Sequence, residues 1–99
     1  METIAIELQD LNCRFETIDP IDNRNDDYID FKLIMYNGDT HYGTLRTLQN
    51  IQQSLAAKDF TFDENIIIVT KLSPSIIEQS IRYIVKNDHL KVAFRQDYD

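Results

Sequence analysis

The N-terminal segment alternates strictly. Ile4, Ile6 and Leu8 interleave with Thr3, Ala5 and Glu7, the period of two of a half-buried strand. Leu11, Cys13 and Phe15 continue the period beyond Gln9-Asp10. Gln-Asp is a poor tight turn, so one interrupted strand is preferred to two short ones. Asp19-Pro20-Ile21-Asp22-Asn23-Arg24-Asn25-Asp26-Asp27 then breaks the pattern with turn-forming residues and one apolar side chain, Ile21. It reads as a mobile, acidic contact loop.

Tyr28 to Tyr36 is the clearest strand, with Ile29, Phe31, Leu33 and Met35 on one face and Asp30 and Lys32 on the other. Asn37-Gly38 signals a two-residue type I′ hairpin turn. That turn pairs Met35 with Thr40 and Leu33 with Tyr42, carries the return strand from Asp39 to Gly43, and places Tyr42 on the core side. Leu45, Leu48, Ile51 and Leu55 recur at helical spacing, with Thr44 or Thr47 as the cap and Asn50 outside. Phe60 and Phe62 are spaced by two. Ile66 to Thr70 is apolar on both faces, which predicts a central, doubly covered strand.

Ser73-Pro74 places an N-cap before a proline at the first helical position, and Ser75 with Glu78 offers a second capping register. Ile76, Ile77, Ile81, Ile84 and Val85 form the apolar stripe of that helix, Glu78 and Arg82 an i,i+4 pair, and Asn87 a left-handed C-cap. Leu90, Val92 and Phe94 alternate as a last strand. The order β-β-β-α-β-α-β predicts an α+β fold in one domain over residues 1–99, a largely antiparallel sheet with two helices packed on one face.

Charge narrows the function. Seventeen acids against ten bases give the 99-residue chain a net charge of −7. Residues 1–50 hold ten acids and four bases, and from Glu16 to Asp30 six acids face one base, Arg24. Such a field repels nucleic acid and anionic membranes and steers a basic partner inward. The longest apolar run, Ile66 to Val69, is far shorter than the ~20 residues of a membrane span. The start Met1-Glu2-Thr3-Ile4 lacks the features of a signal peptide, so a cytoplasmic location is expected.

The chemistry-bearing residues are sparse. His41 and His89 are the two histidines, and no spacing suggests a zinc site. The aspartates at 22, 26 and 30 lack the glycine and terminal glutamate of a calcium loop. The single cysteine, Cys13, alternates inward as a small core residue. Gly38 and Gly43 stand alone, so neither phosphate nor dinucleotide loops are present. These readings predict a protein that is not an enzyme and holds neither cofactor nor metal. Five tyrosines include Tyr28, Tyr36, Tyr83 and Tyr98 as surface candidates, a residue type that gives contact area at little entropic cost.

An acidic Asp/Pro/Asn loop precedes an aromatic-aliphatic strand, Asp30-Phe31-Lys32-Leu33-Ile34-Met35. A hairpin, a helix, an aliphatic strand, a helix and an acidic aromatic end, Phe94-Arg95-Gln96-Asp97-Tyr98, follow. This layout resembles the small immunity proteins of bacterial polymorphic-toxin and contact-dependent inhibition systems, and is similar to the immunity protein 8 type. The resemblance implies a non-catalytic cytoplasmic protein that binds and blocks one toxin domain, commonly a nuclease. A basic ribonuclease domain is the expected partner, met by Asp19, Asp22, Asp26, Asp27 and Asp30 electrostatically. Tyr28, Tyr36 and Tyr98 are the expected anchors, with Asp97 and Asp99 on the rim. Two other classes share the acidic surface: a self-associating structural or regulatory module, giving a homodimer through a terminal strand, and a phage-type nucleic-acid mimic.

Overall fold

The computed structural model describes residues 1–57 and 65–87, and the backbone of residues 95 and 96. The strands are β1 (Ala5–Leu8), β2 (Cys13–Thr17), β3 (Tyr28–Met35), β4 (Thr40–Thr47), β5 (Ile66–Val69) and β6 (Arg95–Gln96). The helices are α1 (Leu48–Ala57) and α2 (Pro74–Lys86). The sheet runs β1-β2-β3-β4-β5, antiparallel except for the parallel β4–β5 pair, with β6 antiparallel to β4. The fold is α+β with a mostly antiparallel sheet, as the periodicities predict, but the two helices do not share one face: α2 seals the core face, whereas α1 is held by Arg46 from the other.

The interrupted first strand is instead a hairpin. One 3-10 turn, Gln9–Leu11, reverses the chain, and Asn12 closes it in the left-handed region at φ 55°. Asparagine tolerates that conformation, which is how a segment without glycine turns here. Ile6 then pairs with Phe15 and Leu8 with Cys13.

The Asn37–Gly38 turn also differs from its prediction. Ile34 pairs with Thr40 and Leu33 with His41. The Gly38 amide donates to Met35 O, the Met35 amide to Asp39 O, and Gly38 alone in the turn has positive φ, 102°. This is a three-residue loop with a glycine bulge rather than a type I′ turn. A one-residue slip moves every side chain to the opposite face. Tyr42 therefore lies beside Lys32 on the outer face, half-buried, and not opposite Leu33 in the core.

β4 continues past Gly43 to Thr47 and is buried throughout Gly43–Thr47. It has β3 along one edge and shares the other between β5 and β6, so it is an interior strand, which β5 is not. β5 ends the strand order, and Ile68 is 61% exposed. An all-apolar run of four residues does not itself distinguish these positions.

The core is the sheet face carrying Leu8, Cys13, Phe15, Ile29, Phe31, Leu33 and Leu45, closed by Leu72 and by Ile77, Ile81 and Ile84 of α2. Phe15 and Phe31 meet at its centre with ring centroids 5.0 Å apart. Ser73 caps α2 by accepting from the Ile76 amide, with Pro74 at the first helical position. Asn87 ends α2 at φ −101°, outside the left-handed region, with its amide bonded to Tyr83 O and Val85 O. Helix α1 contributes no buried residue. The Thr47 hydroxyl caps it by accepting from the Asn50 amide, and Arg46 holds it from the outer sheet face through Asn50 and Ser54. Asn50 thus faces inward. The expected strand over 90–94 and the Phe60 and Phe62 alternation lie outside the described residues.

Candidate functional site

The segment before β3, expected as a contact loop, is tied to the rest of the fold at several points. Ile21 plugs the core at 2% exposure and forms a backbone bridge with Glu2. The Leu72 amide donates to Arg24 O, and the Thr47 amide to Asp27 O. The segment is the loop that composition marks, with one isolated bridge at Ile21, and its distant backbone partners are what composition does not show.

The aspartates organise the turn from within. Asp27 Oδ2 accepts from the amides of Asp22, at 2.8 Å, and Asn23, at 3.2 Å, while Oδ1 accepts from the Tyr28 amide at 2.8 Å. Asp19 Oδ2 accepts from the Asp30 amide at 2.9 Å, joining the two ends of the segment. Asp30 Oδ1 accepts from the Thr44 hydroxyl at 2.8 Å. Asp26 Oδ1 accepts from Asn50 Nδ2 of α1 at 3.3 Å. Asp22 is exposed, and the other four are half-buried.

All these donors are neutral. Among the described residues, no lysine or arginine forms a salt bridge with Asp19, Asp22, Asp26, Asp27 or Asp30. Arg24, the one base in the segment, is turned to Glu2, holding its carboxyl below the usual range chiefly by that hydrogen bond. The five aspartates lie on a short stretch of chain at one sheet end, their shape fixed and their charge uncancelled by ion pairs.

Tyr28 belongs to this end. Its ring, 39% exposed, lies over the Arg46 guanidinium, 4.9 Å from ring centroid to Cζ. Arg46 itself is only 6% exposed. Sequence reasoning missed it because the return strand was expected to stop at Gly43. Tyr28 faces Arg46 across β3 and β4 only once β4 extends to Thr47.

Tyr36 does not join them. It follows β3 at the opposite end, roughly 26 Å from Tyr28 at the usual strand rise. Its hydroxyl donates to Glu7 Oε2, which pushes the phenol above its ordinary value of 10.0, with desolvation a smaller cause. Asp97, Tyr98 and Asp99 lie outside the described residues. Cys13 is free and fully buried, its thiol pushed up mainly by desolvation.

Among the described residues, no three of His, Cys, Asp and Glu converge so as to hold a metal ion. None of the described helices is long and apolar enough to cross a membrane. The fold and this sheet end define an α+β domain with an anionic, hydrogen-bonded surface. Comparison with protein families, curated proteins and solved structures finds no match to the chain.

Proposed function

We propose that the chain is a non-catalytic inhibitor of the immunity type, which occupies the cationic surface of one toxin domain, a ribonuclease being the leading target. The observation that carries this reading is the set of five aspartates held by neutral donors and paired to no cation among the described residues. A nuclease needs a basic cleft to hold phosphates. A preformed anionic surface competes for such a cleft with little ordering cost on binding. Charge speeds the encounter, while a partly exposed aromatic such as Tyr28 slows release.

Asp22 and Asp26 are the reachable contacts on this reading, since Asp22 is exposed and Asp26 makes one side-chain hydrogen bond. Asp19, Asp27 and Asp30 shape the surface and add field. Tyr36 is removed from this contact by its distance.

The test is a thermal-shift titration against the purified products of the genes adjacent to its own. Stabilisation at micromolar partner in low salt, with loss of the partner's ribonuclease activity, is expected. No stabilisation under those conditions overturns the proposal.

A further inference from the structure

We propose that the outer edge of the N-terminal strand pairs with the same edge of a second copy of this chain, independently of any toxin partner. The hydrogen-bond phase of the sheet carries the argument. The Thr17 amide donates to Ile4 O, which sets Ile4 and Thr17 opposite each other in the hydrogen-bonded phase, while the Ile4 amide, turned the same way, donates to the Thr17 hydroxyl. Hydrogen-bonded pairs alternate along an antiparallel ladder. Ile6 and Leu8 therefore turn their backbone toward β2, whereas Thr3, Ala5 and Glu7 turn theirs outward. β1 ends the strand order, and among the described residues no backbone hydrogen bond reaches those three. All three are exposed.

Natural edges are guarded by short strands, charged side chains, proline, bulges or a covering element, and β1, four residues long, carries one such charge, Glu7. From Thr3 to Glu7 there is no proline, and the one charge is on the outer sheet face, bonded to Arg14 at 3.2 Å. The side chains also specify the occupant. An antiparallel pairing centred on Ala5 engages Thr3, Ala5 and Glu7 of both copies. It sets Ala5 against Ala5, Thr3 against Glu7, and Ile4 against Ile6. No carboxylate meets a carboxylate, the smallest side chain sits on the two-fold axis, and Ile6, only partly buried in one copy, gains an apolar neighbour on the core face. The result is two sheets joined into one across the axis, an isologous interface.

Sedimentation velocity on the isolated chain, from micromolar to millimolar, tests this. A reversible monomer–dimer equilibrium is expected, strengthened by salt because both copies are anionic. Ala5→Pro removes an outward amide that makes no hydrogen bond among the described residues of one copy. It should leave the far-UV circular dichroism unchanged and abolish the dimer. Ala5→Lys and Ala5→Glu place like charges on the axis, so each alone should be monomeric and their mixture should dimerise. A monomer at every concentration, a dimer that survives Ala5→Pro, or a mixture that stays monomeric while the parent dimerises would overturn the proposal.

Discussion

Two carboxylate-rich regions of this molecule treat their charge in opposite ways. On the outer face of β1 and β2, Glu7 and Glu16 bind Arg14, and Lys32 approaches Glu16 at 3.7 Å. Each acid there meets a base across the sheet, so little field extends from that face. Before β3, the aspartates meet amides, a hydroxyl and a carboxamide. A hydrogen bond from a neutral donor fixes a carboxylate as firmly as an ion pair does, yet leaves its charge in place. One region spends its acids on holding strands together. The other uses them to hold a turn and still presents an anionic surface.

The largest change should come where the anionic turn is tied to the rest of the fold. The Thr47 hydroxyl is fully buried, caps α1 and accepts from the Asp27 amide at 3.2 Å. Thr47→Val keeps the volume and removes both roles, and should cost about 2 kcal/mol in urea unfolding. Next is Asp27, whose carboxylate gathers three amides. Asp27→Ala should cost about 1–2 kcal/mol and Asp27→Asn less, with amide exchange accelerating at Asp22, Asn23 and Tyr28.

Binding kinetics sharpen the contrast further. Asp22→Lys or Asp26→Lys should slow association with a basic partner roughly tenfold at low ionic strength, the gap closing as salt rises. Glu7→Gln, in the ion-paired region, should change the rate by less than about twofold. Equal effects at the two regions would erase the distinction drawn between them.

The smallest effect concerns acid. The hydrogen bond from Arg14 holds the Glu16 carboxyl below its ordinary value of 4.5, with Coulombic attraction to Arg14 and Lys32 adding to it. A depressed folded value means the contribution is complete above 4.5 and is lost as pH falls through the folded value. Urea midpoints should therefore drop between neutral pH and pH 3, and drop less in Glu16→Gln. That variant should lie within about 0.5 kcal/mol of the parent at neutral pH.

The candidate surface was partly legible from composition. The run from Glu16 to Asp30 stands out as acid-rich, and Asp19, Asp22, Asp26, Asp27 and Asp30 do lie at one sheet end. Their division into shaping and reachable residues depends on Asp27 meeting amides four and five positions earlier and Asp26 meeting Asn50, 24 positions later. No spacing rule encodes such meetings. Tyr36 shows the converse: its composition matched an anchor, but strand length carried it away from Tyr28.

Local patterning by itself determined the alternation that builds the strands, the Ser73-Pro74 start of α2 and the apolar stripe Ile77, Ile81 and Ile84 that seals the core. Those features follow from backbone geometry and burial over a few residues. Only the tertiary structure decided which of β4 and β5 is interior, where the hairpin register falls and which face of α1 turns inward. Each of these depends on partners distant in sequence: β3, β5 and β6 flanking β4, the glycine bulge at Gly38, and a buried Arg46 that binds α1 through polar groups in place of its leucines.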